Sequence, residues 1–399
     1  MSPDDEEGPL EPEPVGGPVP QPSQRPWMHP SELQTFVAAP TADPRLARPR
    51  EWAIGLGSAV AAALLTVLVL VAFGDLGGGT RPSADLPQLV GQPSVVDYAV
   101  ARRVAADTVP SIVTLRVVGG DGRVAPVGSG VVVGTNRVMT NAHLVAGTTD
   151  LDVVTSEGRP YAAKVVGTDP QTDLALLAVS GAELVAVAQG ETADVGVGTP
   201  VIAVAANRAG AYRTGIDVIS DRNRLIDAGS GATVAGTIET GIEAGIAWAG
   251  GALVDSVGNL VGVLTEARDA PELGLVAIPL AAVRDVLGQL ESSGEVRHGW
   301  LGVVFGDDAV ERPRGGARVA VVMPGSPAAK GGLEAGDVVT HVGDTAVGGR
   351  ADAIAAVRAL RPQDPIEIGY VDPGGQTHRP RVTLAAPDPP ALANLPGSG

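Results

Sequence analysis

The chain of 399 residues is long enough for two or three domains, and its apolar content of 44% is that of a globular protein. A formal net charge of −17 repels phosphate backbones and argues against a nucleic-acid partner. The absence of cysteine excludes disulfides, thiolate catalysis and cysteine-ligated zinc, and the five histidines lack ligand spacing. We therefore expect neither a metal site nor a cofactor. Scarce aromatics with many Val, Ala and Gly residues favour a mainly β protein.

Residues 1–51 are rich in proline and contain an acidic run, a composition that predicts a disordered or extended segment. One island interrupts it, Arg25–Leu33, with an aromatic residue and a histidine inside polar sequence. It is either a short linear motif for a partner or an incidental cluster, and composition alone does not separate the two.

Residues 52–74 are predicted to form a transmembrane helix, because Trp52–Phe73 carries no charge and is long enough to cross a bilayer. The alternative, a buried core helix, is disfavoured by that length and the absence of charge. The segment starts too far from Met1 for a cleaved signal peptide and should remain as a single-pass anchor. Arginines cluster before it, so residues 1–51 are predicted to be cytoplasmic and everything after about residue 75 extracytoplasmic.

After a Gly- and Pro-rich linker at residues 75–95, residues 96–292 are predicted to be one domain. Helical spacing over Val96–Asp107 gives way to short alternating strands that continue to about residue 280, the pattern of a sandwich or barrel. An amphipathic helix, Pro279–Glu291, closes the unit.

Residues 293–386 form a second predicted domain, which mixes strands with helices around residues 328–332 and 352–360. The Pro-rich tail, residues 387–399, is predicted to be disordered.

The stretch Gly245–Asp255 is a glycine-backed turn that precedes the β-branched strand Leu260–Leu264. Hydrolases present a nucleophile beside backbone N–H donors on such a turn. Here the position that calls for a serine is Ala249.

Two further stretches bear on catalysis. His143 follows a predicted strand, and Asp173 stands at the start of another. The order His, Asp, nucleophile position is that of the chymotrypsin-type triad, in which Asp orients the imidazole and the imidazole takes the nucleophile's proton. Taken singly, each residue is more simply a satisfied structural histidine and a turn or capping aspartate.

Together, these stretches make the chain resemble the HtrA/Deg family of membrane-anchored, trypsin-like serine proteases with a PDZ domain, over about residues 96–385. The matching stretches are Gly128–Val132, Thr140–His143, Thr172–Leu177, Gly250–Gly251 with Leu253–Asp255, Gly258–Val263, Val276–Pro279, Gly299–Val303 and Pro324–Val339. The region around Trp27 also looks like the cytoplasmic segments of actinobacterial relatives. The resemblance implies a chymotrypsin/trypsin-like double β-barrel followed by a PDZ domain.

The chain departs from the family pattern at its centre. Family members read Gly-Asn-Ser-Gly-Gly-Pro-Leu where this chain has Ala247 to Leu253. His143 and Asp173 therefore carry over as a vestigial triad, and Ala249 marks the missing nucleophile. The amides of Ala247 and Ala249 would be the oxyanion-hole donors, with alanine restricting the first position.

Trp248 brings a large ring where the family has a small amide, and we expect it to occupy space that substrate would otherwise take. Ser230 and Ser256 are the nearest candidates for a substitute nucleophile, and both have the sequence context of ordinary loop serines.

The PDZ-like module retains its binding elements. The resemblance places the carboxylate-binding loop at Trp300, Leu301, Gly302 and Val303, where backbone N–H groups hold a peptide C-terminus added to the sheet edge. On the facing helix, Ile354 and Val357, with Leu360, either line the groove or belong to the core.

Two functions follow from these features. The first is a membrane-anchored pseudoprotease of the cell envelope that binds peptide C-termini or unfolded envelope proteins. The second is an active serine endopeptidase of envelope protein quality control with an atypical nucleophile. The resemblance also implies a homotrimer or assembly with an active paralogue.

Overall fold

The computed structural model describes residues 97–118, 124–148, 150–190, 195–207, 211–228, 233–245, 248–268, 270, 273–306 and 315–387. The predicted cytoplasmic segment, transmembrane helix and linker lie outside these ranges. Within them, no helix combines the length and apolar character that a bilayer crossing requires.

The described chain begins with helix α1 (Tyr98–Thr108), close to the helix predicted from residue 96. The Asp97 carboxylate accepts a hydrogen bond from the Ala99 amide at 2.8 Å, which satisfies one of the free N–H groups of the first turn. A 3₁₀ turn (Val109–Ser111) with proline at its start ends the helix and leads into the first strand.

The first six strands close into an antiparallel barrel in the order β1-β2-β3-β6-β5-β4. They are β1 (Ile112–Val118), β2 (Val124–Gly134), β3 (Arg137–Asn141), β4 (Asp150–Val154), β5 (Pro160–Asp169) and β6 (Leu174–Val179). Side chains alternate along these strands, so one set fills the barrel and the other packs outside it. A 3₁₀ turn (Ala142–Leu144) follows β3 at one end of the barrel.

A second closed barrel has the order β10-β11-β12-β9-β8-β7. Its strands are β7 (Pro200–Ala206), β8 (Tyr212–Asp227), β9 (Thr233–Thr240), β10 (Ala252–Asp255), β11 (Leu260–Thr265) and β12 (Val276–Pro279). The double barrel implied by the family resemblance is thus confirmed, as is the mainly β class.

Helix α2 (Leu280–Ser293) follows the second barrel, as predicted from its amphipathic spacing. Its buried residues Val283, Val286 and Leu290 join one apolar cluster with residues of both barrels and of α1. Gly294 ends the helix in the left-handed conformation (φ 72°), which glycine adopts without steric cost.

The C-terminal unit is a seven-stranded PDZ-like sheet with its own apolar cluster. It contains β13 (Val303–Phe305), β14 (Ala317–Val322), α3 (Pro327–Lys330), β15 (Val338–Val342), β16 (Thr345–Ala346), α4 (Arg350–Arg358), β17 (Pro365–Val371), β18 (Thr377–His378) and β19 (Arg381–Thr383). Helices α3 and α4 correspond to the two predicted helices. Among the described strands, β13 stands at the edge of this sheet.

Candidate functional site

The aspartate of the candidate site sits at the end of the turn between β5 and β6. Asp173 is fully buried and has a positive φ of 56°, which an aspartate tolerates better than most residues. Its carbonyl oxygen accepts from the Ala142 amide at 3.0 Å and from Asn141 Nδ2 at 3.2 Å. These bonds fix the turn against the end of β3 and aim the carboxylate at His143.

Three groups donate to the Asp173 carboxylate. His143 Nδ1 lies 2.9 and 3.0 Å from its two oxygens, the His143 amide donates at 3.0 Å, and Thr265 Oγ1 donates at 2.8 Å. Because a carboxylate only accepts, Nδ1 carries the proton and the neutral imidazole has its acceptor at Nε2. This is the tautomer that a triad needs in its general base.

The other ring nitrogen of His143, Nε2, differs from Nδ1 in its surroundings. Nε2 is buried, and no hydrogen-bond partner is found for it within the described residues. In a Ser-His-Asp triad this nitrogen accepts the proton of the nucleophile's hydroxyl. Among the described residues, no hydroxyl group is hydrogen-bonded to this oriented nitrogen.

Ala249 lies in the contact between the two barrels, 2% exposed. Its carbonyl oxygen accepts from the Ser129 amide of β2 at 3.0 Å, and the next amide, of Gly250, donates to Leu264 O at 2.9 Å. Leu264 immediately precedes Thr265, whose hydroxyl binds Asp173. Ala249 is thus held against the strand end that supports the dyad.

The two glycines after Ala249 are dictated by packing. Gly250 has a φ of 77°, and a Cβ there would collide with the carbonyl oxygen of Ser129. A Cβ on Gly251 would lie 2.7 Å from Val204 O. Glycine at both positions is therefore required by the tight turn that places Ala249 against β2.

Trp248 is 7% exposed and packs in the apolar cluster of the second barrel. The guanidinium carbon of Arg213 lies 5.1 Å from its ring centroid, a cation–π distance. Ala247, the other predicted oxyanion position, lies outside the described residues.

One cavity adjoins His143, and a second lies beside Thr265, which donates to Asp173. One of 770 Å³ is lined by His143 and by residues of the 3₁₀ turn, of β5 and of the loop after it. The other, of 320 Å³, is lined by Thr265 to Arg268 and by residues 244–245, 270 and 273–276. Arg268 contributes to both, and Trp248 lines neither, so its ring is buried in the barrel instead of occupying these spaces.

Two hydroxyl groups on the strands beside Ala249 are already hydrogen-bonded. Ser129 Oγ donates to Ala206 O at 3.1 Å and accepts from the Ala206 amide at 2.9 Å. Thr140 Oγ1 donates to Ser129 O at 2.7 Å. Ser256 is exposed in the turn after β10, a strand of four residues that separates it from Ala249 by roughly 13 Å. Ser230 lies outside the described residues.

The predicted carboxylate-binding loop precedes the edge strand β13. Gly302 has a φ of 81°, and a Cβ there would collide with the Ser326 side chain. The Met323 amide donates to Gly302 O at 2.9 Å, which makes Val303 and Val322 a non-hydrogen-bonded pair. The N–H and C=O of Val303 consequently point to the free edge of the sheet.

The remaining predicted groove residues differ in burial. Trp300 is half-buried and pairs with Ala385 in an isolated bridge, while Leu301 is 2% exposed. On α4, Ile354 is partly buried, and Val357 lies in the apolar cluster of the unit. Of these two predicted groove residues, Ile354 is therefore the more accessible.

Sequence reasoning missed two features of the site. Thr265, the third donor to Asp173, has no distinctive neighbours in sequence. His298, one of the five histidines without ligand spacing, is bonded through Nε2 to Asp169, 129 positions away along the chain, at 2.8 Å. No local pattern announces a pair at that separation.

Comparison with known proteins agrees with this geometry. The family described as "Trypsin-like peptidase domain" matches residues 128–263, and that described as "PDZ domain" matches residues 318–368. A trypsin-like domain is thus followed by a PDZ domain along this chain, the same order as the double barrel and the PDZ-like sheet of the structure. The chain belongs to the HtrA family.

Among HtrA-family relatives, "Probable periplasmic serine endoprotease DegP-like" of Pseudomonas fulva is 32% identical over 276 residues, covering 65% of this chain and 57% of the relative. "Serine protease PepD" of Mycobacterium tuberculosis is 32% identical over 309 residues, covering 71% and 65% of the two chains. The chain spans a little over half the length of the Pseudomonas relative. The solved structure "HtrA-type protease AlgW with tripeptide" matches with a TM-score of 0.59 and 26% identity, covering 73% of this chain and 98% of that one.

Proposed function

We propose that this HtrA-family chain is a pseudoprotease that captures peptides without cutting them. The observation that carries the proposal is that Nε2 of His143 has no partner among the described residues, in a site whose proposed nucleophile position is Ala249. A methyl group has no lone pair to attack a carbonyl. Removing the serine of a triad protease costs on the order of 10⁶-fold in kcat, and the remainder depends on the oxyanion hole.

A substitute nucleophile finds little support in the surroundings. Ser129, Thr140 and Thr265 each hold a structural hydrogen bond, and releasing any of them would leave a buried acceptor or donor unpaired. The neighbours of Ala249 also differ from the family pattern, because Ala247 and Trp248 stand where the family has glycine and asparagine. This argues against a single serine-to-alanine substitution in an otherwise intact catalytic loop.

Peptide capture by the PDZ unit requires no catalytic side chain. The free edge at Val303 can accept an added strand, and the loop at Gly302 provides the tight backbone in which amides hold a terminal carboxylate. The AlgW structure contains a tripeptide, in keeping with peptide binding in this family. The ligands we propose are peptide C-termini, including those exposed by unfolded envelope proteins.

The proposed location is the cell envelope, with residues 52–74 as a single membrane anchor and the barrels and PDZ unit outside the cytoplasm. The uncharged run from Trp52 to Phe73 and the arginines before it support this arrangement. The Pseudomonas relative is described as periplasmic. The oligomeric state that we propose, from the family resemblance, is a homotrimer or an assembly with an active paralogue.

The proposal is tested with the full-length chain in detergent micelles. Casein hydrolysis should equal that of the His143→Ala variant and of buffer, while a fluorescent peptide with a free hydrophobic C-terminus should bind. If no member of a C-terminal peptide library binds, the proposed peptide capture is wrong. If casein turnover depends on His143, the proposed lack of proteolytic activity is wrong.

The competing function, an active serine endopeptidase of envelope quality control, is favoured by the well-oriented His143–Asp173 pair and by the protease names of the relatives. It requires a hydroxyl within reach of Nε2 that the described residues do not offer. Casein turnover lost on His143→Ala would decide in its favour.

A further inference from the structure

His298 lies between α2 and β13, where the PDZ unit meets the barrels. Its side chain is 4% exposed. Nε2 lies 2.8 Å from Oδ2 of Asp169, which ends β5 of the first barrel. Nδ1 lies 2.8 Å from the backbone carbonyl oxygen of Arg358, the last residue of α4. One imidazole therefore joins a barrel strand to a helix of the PDZ unit.

Both partners of this imidazole are acceptors. A carbonyl oxygen has no proton to give, and the Asp169 carboxylate already accepts from the Gln171 amide at 3.2 Å and from Thr172 Oγ1 at 2.5 Å. A neutral imidazole has one N–H donor and would leave one of the two nitrogens facing an acceptor with no proton between them. Only the imidazolium, with two N–H groups, satisfies both contacts at once.

Within the described residues, the charged groups that face His298 are Asp169 from β5 and Arg358 from α4. Arg358 also crosses the junction, because its Nη1 donates to Thr233 O at 2.6 Å and to Gln171 O at 3.3 Å. Burial by itself lowers the pKa of His298, but the hydrogen bond and charge of Asp169 outweigh it and raise that pKa above the ordinary 6.5. Burial likewise acts to raise the pKa of Asp169, and the His298 bond outweighs it and lowers that pKa.

We propose that protonated His298 is a clasp that holds the PDZ unit on the barrels, and that its deprotonation at alkaline pH releases the PDZ unit. The clasp holds the turn Asp169–Asp173 at one end, and the same turn places Asp173 against His143 at the other. The five-residue turn Asp169–Asp173 therefore takes part both in docking the PDZ unit and in positioning Asp173 beside His143.

The direction of the pH effect follows from proton linkage. A raised pKa in the docked state means that the His298 contribution is complete below about pH 6.5 and is lost as the pH rises through the raised value. The lowered pKa of Asp169 means that its contribution is present above 3.8 and is lost only as the pH falls below that value. The clasp is therefore closed in mildly acidic solution and opens on the alkaline side.

The protonation state is measured directly on the unaltered protein. In the full-length chain labelled with ¹⁵N-histidine, the two ring nitrogens of His298 should both give imidazolium shifts at about pH 6.5, where an ordinary histidine is half protonated. The resonance is assigned by its loss in His298→Gln. A single protonated nitrogen at that pH would overturn the proposal.

Release is measured as a distance between domains. Because the chain has no cysteine, spin labels can be placed at Val257→Cys, 75% exposed in the second barrel, and at exposed Thr345→Cys in the PDZ unit. Between about pH 6 and pH 10 the fraction of separated domains should rise several-fold, because the docked state binds the His298 proton more tightly than the separated state does. His298→Gln, which cannot carry the charge, should give one pH-independent distribution.

The matched control is His378→Gln, which removes a half-exposed histidine paired with Asp372 inside the PDZ unit. It should keep the pH transition. A distance distribution that does not change with pH, or a transition that survives in His298→Gln, would contradict the clasp. These readouts involve neither peptide capture nor proteolysis, so they stand apart from the proposed function.

Discussion

The His143 ring is held in a single orientation by its contacts with Asp173. Asp173 adopts a positive φ of 56°, and its carboxylate receives donors from His143, from the His143 backbone and from Thr265. Such a backbone conformation costs on the order of 1 kcal/mol or more and persists only where surrounding contacts hold it. These contacts therefore hold His143 in a single orientation, although the proposed nucleophile position, Ala249, carries only a methyl group.

Restoring the hydroxyl alone should not restore an efficient enzyme. Ala249→Ser supplies a hydroxyl at the predicted nucleophile position, but the predicted oxyanion position has alanine, Ala247, where the family has the less restricted glycine. We expect casein turnover on the order of 10²–10³ below that of an intact relative, the loss caused by one missing oxyanion donor. Turnover by this single variant equal to that of an active relative, measured side by side, would show that the loop is competent as it stands.

Gly250 offers a separate test of the turn. Gly250→Ala forces a Cβ against the Ser129 carbonyl at a φ of 77° and should lower the free energy of unfolding by about 3 kcal/mol or more in urea. Gly181→Ala is the control, because its φ of 69° gives similar backbone strain with no heavy atom within 4 Å of the added Cβ. Equal losses for both variants would mean that the contact with Ser129 is not the cause.

The site residues that could be predicted are those that stand in a recognisable stretch of sequence. His143, Asp173 and the Gly250–Gly251 turn stand in recognisable stretches, because strand ends and tight turns impose residue types on their neighbours. Thr265 and His298 act through contacts made only after folding, and a lone Thr or His has no signature of its own. The left-handed backbone of Asp173 was equally invisible in sequence.

The edge strand β13 and its preceding loop are the proposed peptide-binding elements of the PDZ unit. Gly302 fixes the loop, and Val303 presents its N–H and C=O outward. Helix α4 contributes partly buried Ile354, whereas Val357 lies in the apolar cluster of the unit. Sequence periodicity could predict the helix but not this division between groove and core, since one helical turn places both residues on neighbouring faces.

Peptide binding should depend on the terminal carboxylate. In fluorescence anisotropy with the full-length chain, a peptide with a free C-terminus should bind at least tenfold more tightly than the same peptide amidated, because the amide removes the charge that backbone N–H groups hold. Ile354→Glu should weaken binding of the free peptide by a similar factor. Equal affinity for both peptides would place binding elsewhere than this loop.

The PDZ unit contacts both barrels and α2 through several hydrogen bonds and an ion pair. Helix α4 meets the second barrel where Ala355 approaches Gly236, and Arg358 donates to carbonyl groups on both barrels. Arg361 adds an ion pair of 2.7 Å to Asp285 of α2, with 45% of its side chain exposed. Domain order and barrel closure could be predicted from sequence and family resemblance, but this junction could not, because its partners are far apart along the chain.

The two arginines should contribute unequally to docking. Arg361→Ala removes an exposed pair worth about 0.2–1 kcal/mol, and it should leave the interdomain distance unchanged. Arg358→Ala removes two hydrogen bonds to carbonyl groups of the barrels and should raise the fraction of separated domains, at a cost of roughly 0.5–1.5 kcal/mol per bond. The spin-label pair measures both, and equal effects would contradict the importance given to Arg358.

The most direct test of the pseudoprotease is covalent labelling by a fluorophosphonate probe, which reacts only with an activated serine. The full-length wild-type chain should remain unlabelled while an active HtrA-family protease in the same experiment is labelled. Labelling of the wild-type chain that disappears on His143→Ala would contradict the account, because it would reveal a nucleophile served by the dyad.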